Sequence, residues 1–312
     1  MDIHITCVIG VSVYPDDGDD KSTIIQNASS AMLEAKGRGE NFILYNKKLH
    51  EKAVERMSLQ SDLLRAFDRN QFELHYQPIV ECNGRIIGAE ALIRLRHPER
   101  GLVPPLDFIP LAEETGIIVS KGKWTLYTAC KQLEKWSSNY DIYVSINLSA
   151  KEFASENLVE VIQGALQNAG NLDPKRLKLE ITETKCMEDP EAAIMTMLML
   201  QERGIELFID DFGTGQSSLS YLKRLPAKTL KIDKVFIDDV VQSPEEREYL
   251  TNILSTVKRK NKSVIIEGVS SKDQVGLLKK MKCDMMQGYY FSKPVRAEEF
   301  KQYLENGGFL PR

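Results

Sequence analysis

The sequence is poor in the residues that usually announce a site. Its five cysteines (Cys7, Cys82, Cys130, Cys186, Cys283) are odd in number and far apart, with no C-x-x-C pair. That excludes a disulfide framework and leads us to expect a reducing, cytoplasmic compartment. The four histidines include no H-x-x-x-H arrangement, which argues against a zinc protease. No G-x-x-x-x-G-K-[ST] nucleotide loop occurs. No apolar run approaches the ~18 residues of a membrane span, and Met1 is followed by Asp2 and His4 rather than a basic leader. No direct membrane contact is expected, although a longer parent protein is free to carry an anchor. A net charge of −4 gives no support for a large nucleic-acid partner.

What is present is a series of short apolar stretches that end in acids or amides. A chain of 312 residues holds one domain of about 250 residues with an appendage. Strands are expected at 72–80, 86–95, 143–147, 177–181, 206–210, 229–232, 263–267 and 286–291. Helical stripes lie between them, at 158–169 and 245–260 for example. Asp189–Pro190 and Ser243–Pro244 mark helix starts, with Glu246 expected to complete a capping box on Ser243. Eight strands with helical crossovers point to a (β/α)8 barrel, with a doubly wound open sheet as the alternative. Upstream, 3–14 reads as a strand, 22–36 as a helix, 41–45 as a strand and 50–69 as a linking helix with Leu59, Leu63 and Phe67 on one face.

The strand ends carry Glu90, Asn147, Glu180, Asp210, Asp211, Lys231, Asp233, Glu267 and Gln287, with Glu183 just beyond Glu180. A lone polar group in a buried strand costs several kcal/mol unless paired or metal-bound. One shared site explains so many of them better than unrelated accidents. Oxygen donors without histidine or cysteine suit Mg²⁺ or Mn²⁺. Asp210 and Asp211 can bridge two ions about 3.5–4 Å apart, as in phosphoryl hydrolysis. Lys231 is suited to orienting water or neutralising charge, Glu267 to taking a proton, and Arg94 to contacting phosphate.

These residues resemble the EAL-domain family of cyclic di-GMP phosphodiesterases. Glu90–Ala91–Leu92 is the naming tripeptide; HYQPIV at 75–80, NLS at 147–149, EITET at 180–184, DDFGTGQSS at 210–218, LKID at 230–233, EGV at 267–269 and QGYYFSKP at 287–294 follow in order. The resemblance implies a modified TIM barrel with an antiparallel first strand. It implies hydrolysis of cyclic di-GMP to linear pGpG with two Mg²⁺ or Mn²⁺ ions, inhibition by Ca²⁺, and a homodimer formed through this domain. Glu90, Asn147, Glu180 and Asp210 would ligate one metal, Asp210 and Asp211 the other, with Glu267 and Gln287 completing the shell. Glu267 would be the general base, Lys231 would hold the attacking water, and Glu183 would steady the loop after Asp211. Gln77, Arg94 and Asp233 would face the nucleotide. Leu95, Gln216 and Ser270 depart from the family pattern; the last two lie near the mouth. The alternative function is a cyclic di-GMP receptor with little or no turnover.

Residues 5–20 and 27–45 resemble the closing elements of a GGDEF domain, without its signature, so cyclase activity is not expected. The expected division is 1–47 as a truncated GGDEF-like fragment, 48–70 as the linking helix and 71–312 as the EAL barrel.

Overall fold

A computed structural model of the chain describes residues 7–214 and 224–308, so Gln216 lies outside the described residues. The chain divides into two compact units, Met1–Gln71 with Leu106–Thr115, and Phe72–Pro105 with Gly116–Arg312.

In the first unit, strand β1 (Ile9–Val11) pairs in parallel with β2 (Phe42–Leu44) across the helix Lys21–Arg38. Asp20 caps that helix by accepting from Ser22 and Thr23 N–H, and Gly39 ends it in the left-handed conformation. Ala31, Ala35 and Ile43 form a small core. The strand expected at 3–14 is only three residues in the described part, because Asp17 takes the Val13 N–H and turns the chain. A second helix, Lys47–Ala66, buries Leu59 and Leu63, while Phe67 falls just past its end.

In the second unit, eight strands close a barrel among the described residues. They are β3 (Phe72–Glu81), β4 (Ile86–His97), β6 (Tyr143–Asn147), β7 (Leu177–Thr182), β8 (Glu206–Phe212), β9 (Thr229–Ile232), β10 (Ser263–Ile266) and β11 (Met285–Met286). Short strands β5 (Gly101–Val103) and β12 (Val295–Arg296) flank them. β3 runs antiparallel to both neighbours, β4 and β11, and the remaining barrel pairs are parallel. The barrel, its reversed first strand and the small N-terminal α/β unit are as expected.

Two expectations need correction. The strand expected at 286–291 stops at Met286. Gln287 N–H donates to Ile266 O and its carbonyl accepts from Val269 N–H, so the chain leaves the ladder to lace onto the loop after β10. Gly288 permits this approach, since a Cβ there would lie 2.1 Å from Val269 O. At Ser243 only half of the capping box forms. Its hydroxyl accepts from Glu246 N–H, but its own N–H is committed to Asp239 O. Full boxes form instead at Ser149–Glu152 and Ser271–Gln274, in the loops after β6 and β10.

The register explains how separate strands aim at one place. Glu90 pairs with Ser145, and Asn147 lies two residues further; Asn147 pairs with Glu180. Glu180 pairs with Phe208, and Asp210 lies two further; Lys231 pairs with Ile265, two before Glu267. Every step is even, so each side chain keeps the same face while the strands climb with the barrel's stagger. Beneath this layer Ile79, Phe208 and Ile265 pack with Tyr143, Ile87 and Met285 to form an apolar floor.

Candidate active site

Lys231 is the hub. Its Nζ lies 2.5 Å from Glu180 Oε2, 2.7 Å from Glu267 Oε1, 3.3 Å from Glu90 Oε2 and 3.4 Å from Asp210 Oδ1. Its side chain is 1% exposed, so this charge cannot exist without those partners. Asn147 Nδ2 donates to Glu90 Oε1 at 2.6 Å, and Gln287 Nε2 donates to Glu90 Oε2 at 2.7 Å and to Gln77 Oε1 at 3.0 Å. Gln77 Nε2 in turn donates to Ser292 O. Glu90 is therefore oriented from three sides.

The protonation pattern follows from crowding. Burial would depress Lys231, but Glu180, Glu90, Glu267 and Asp210 together hold it well above the ordinary lysine range, so it is a fixed cation. Burial acts most on Glu90 too, yet Lys231, Gln287 and Asn147 outweigh it and keep that carboxyl ionised below its usual value. Burial and repulsion from Glu90 push Glu180 well above the carboxylate range. Burial raises Glu267 to about 7, against the pull of Lys231. Asp211 is raised by burial and by the neighbouring Asp210 and Asp233.

The raised carboxyl groups of Glu180, Glu267 and Asp211 mark a cluster short of positive charge. Ligand oxygens of Asp210, Asp211 and Glu267 lie within 4.8 Å of one another. Glu180 Oε1 and Gln287 Oε1 are buried with no hydrogen-bond partner among the described residues. These are hard oxygen donors on converging strands, a set that fits a divalent cation.

The turn after β8 is shaped for the pair Asp210–Asp211. Asp211 has φ of 53°, a left-handed conformation that aspartate tolerates better than most residues, and its N–H donates to Asp210 Oδ1. Gly213 follows at φ of 97°, and a Cβ there would lie 2.7 Å from the Phe236 ring. Gly213 N–H donates to Glu183 Oε2 at 2.7 Å, so Glu183 holds the turn rather than joining the Lys231 cluster.

Asp233 accepts from Val235 N–H and caps the turn Lys234–Phe236. Arg94 shares a strand face with Glu90, but its Nη1 donates to Ile93 O at 2.9 Å. Arg96 pairs with Glu73, which also meets Arg296 and His75, giving Arg96 and His75 structural partners. Leu95 is buried between its cross-strand partners Phe72 and Val103.

The sequence profile of the EAL domain matches residues 60–294. The chain belongs to the EAL-domain family. It is 38% identical to the bifunctional diguanylate cyclase/cyclic di-GMP phosphodiesterase MucR of Pseudomonas aeruginosa, over 96% of this chain and 44% of that protein. The cyclic di-GMP phosphodiesterase PdeR of Escherichia coli is 34% identical, over 98% of this chain and 46% of that protein. The chain thus spans less than half the length of these curated relatives. Among solved structures, a MucR phosphodiesterase in complex with c-di-GMP superposes with a TM-score of 0.75 at 41% identity, covering 78% of this chain and 99% of that one. The Pseudomonas aeruginosa FimX EAL domain bound to c-di-GMP gives 0.70 at 25% identity, covering 76% and 96%.

Sequence reasoning missed the loop clamp of this EAL domain. Gln274 Oε1 accepts from the N–H groups of Ser270 and Ser271 and from the Ser270 hydroxyl, while its Nε2 donates to Ile237 O. It ties the loop after Glu267 to the segment after Asp233, and Ser270 serves that clamp. The signal was legible as S-x-x-Q at 271–274.

Proposed function

We propose that this EAL domain hydrolyses one phosphodiester of cyclic di-GMP to linear pGpG, using Mg²⁺ or Mn²⁺. The observation that carries this reading is the Lys231 cluster: four carboxyl groups on or just past separate strands around one lysine, beside the oxygens of Glu180 and Gln287 that have no hydrogen-bond partner among the described residues. The printed names of MucR and PdeR, and the MucR complex with c-di-GMP, support the substrate.

In this reading Glu90, Asn147, Glu180 and Asp210 would hold one ion, Asp210 and Asp211 the second, and Glu267 and Gln287 would complete the site. Asn147 and Gln287 spend their amide N–H groups on Glu90, which reserves their carbonyl oxygens as donors. The cations would supply Lewis acidity toward the phosphoryl group. Lys231, permanently charged, steadies the attacking water and the ligand carboxylates. Glu267, near 7, is placed to take the proton from that water at neutral pH. Arg94, Gln77 and Asp233 face the nucleotide, and Glu183 keeps the Asp211 turn in place.

We read residues 1–47 as a truncated GGDEF-like fragment, 48–70 as a linking helix and 71–312 as the EAL barrel. Support comes from a two-stranded parallel sheet that leaves Ile9, Phe42 and Leu44 more than half exposed, as a piece of a wider sheet would. Among the described residues no helix is long and apolar enough to cross a membrane. A cytoplasmic homodimer paired through the EAL domain completes the reading.

Chromatography of cyclic di-GMP incubated with the protein and Mg²⁺ or Mn²⁺ tests it. The expected result is pGpG from the native chain and none from Glu90→Ala. Tight cyclic di-GMP binding without pGpG at millimolar metal would favour a receptor instead.

A further inference from the structure

We propose that Cys82 and Cys283 are a peroxide-sensitive thiol pair that closes to a disulfide across the β3–β11 seam. Cys82 follows β3 and Cys283 precedes β11, and Glu81 pairs with Met285, so the two cysteines meet at the rim opposite the acid cluster. Cys82 Sγ donates to Cys283 O at 2.7 Å, and Cys283 Sγ donates to Met285 O at 3.0 Å, so both thiols lie on the same seam. Cys82 is partly exposed and Cys283 is buried, which divides the pair into an accessible thiol and a protected one.

The surroundings favour reaction at Cys82. The neighbouring Cys283 side chain brings the Cys82 thiol down to about 7, helped by Lys279 and Lys258 against burial and Asp284. Cys283 is driven the other way, chiefly by the same contact and by burial, and stays a thiol. The turn carrying Cys82 is closed by Gly84 N–H to Glu81 O and by Glu81 N–H to Arg85 O. Turning the two thiols toward each other therefore releases their bonds to Cys283 O and Met285 O but none of the backbone bonds that hold the turn.

The chemistry balances with a peroxide as oxidant. The Cys82 thiolate attacks one peroxide oxygen, the O–O bond breaks, and the departing oxygen leaves as water or alcohol with a proton. Cys283 sulfur then attacks the Cys82 sulfenic acid, forming S–S and releasing water with the Cys283 proton. Two thiols are oxidised and one peroxide is reduced. A dithiol reverses the step. The cross-link spans 201 positions and joins the first barrel strand to the last, a constraint that removes much of the unfolded chain's freedom.

The test uses the full chain. Hydrogen peroxide is added without denaturant, free thiols are alkylated, and the digest is mapped by mass spectrometry beside a thermal melt. We expect a Cys82–Cys283 linked peptide, reversed by dithiothreitol, and a melting temperature ~5 °C higher after oxidation. The rise should vanish in Cys82→Ser and in Cys283→Ser. Cys82 overoxidised without a link, Cys82 still fully alkylated, or cross-linking through Cys7 alone would each overturn the proposal. The mapping reads the native chain, so it stands even if a variant misfolds. It does not depend on the hydrolase reading.

Discussion

At the scale of single residues, the site is an electrostatic knot around Lys231. Replacing Lys231 with methionine keeps the volume but leaves Glu90 and Glu180 buried without their counter-charge. The metal-free variant should lose about 3–5 kcal/mol of stability in urea unfolding, and Mn²⁺ should restore part of it. An unchanged unfolding midpoint would contradict the assigned role. Glu267 supplies the pH dependence. Its folded value of about 7 lies above the ordinary 4.5, so the folded metal-free chain binds more protons than the unfolded chain between those values. Its contribution to stability is therefore lost as pH rises through that window, whereas divalent binding, which needs the carboxylate, strengthens. Calorimetric Mn²⁺ titrations at about pH 6 and about pH 8 should show tighter binding at the higher pH, with the difference reduced in Glu267→Gln. Gly213→Ala places a methyl against Phe236 at a left-handed position and should disturb the bond to Glu183. We expect turnover to fall while the barrel's circular dichroism is kept; unaltered turnover would argue that Glu183 does not steady this turn.

At the scale of elements, the even-numbered stagger along neighbouring strands turns a linear list of acids into one cluster. Much of this was legible from sequence, because an apolar run ending in a carboxylate marks both a strand and its rim. The end of β11 was not legible, since the aromatic residues at 289–291 read as strand while backbone bonds to Val269 decide otherwise. At Gln274 the S-x-x-Q spacing was legible but the bond to Ile237 O, 37 positions away, was not. Ser243 likewise carries a capping-box spacing that a competing bond to Asp239 O half cancels. Outside the barrel, Trp136 packs edge-on to Tyr76 at 4.8 Å and against Phe300 at 4.9 Å, joining the helices Ile117–Ser137 and Ala297–Glu305 to β3. Trp136→Ala should cost about 3–5 kcal/mol in equilibrium unfolding. A loss below about 1 kcal/mol would mean that these helices are held by other contacts.

At the scale of the whole molecule, the barrel concentrates acid at one rim and apolar side chains beneath it, so ligand chemistry and structural stability occupy different layers. Family membership follows from the profile match and agrees with the barrel topology. The acid cluster is expected to become a phosphodiesterase when it holds divalent cations. The most direct measurement is pGpG formation by metal-stripped protein as Mn²⁺ is titrated, with cyclic di-GMP binding followed in parallel. Product formation should rise from background to saturation with Mn²⁺ and be suppressed when Ca²⁺ is added in competition. Cyclic di-GMP binding that saturates while pGpG stays at background throughout the titration would contradict this expectation.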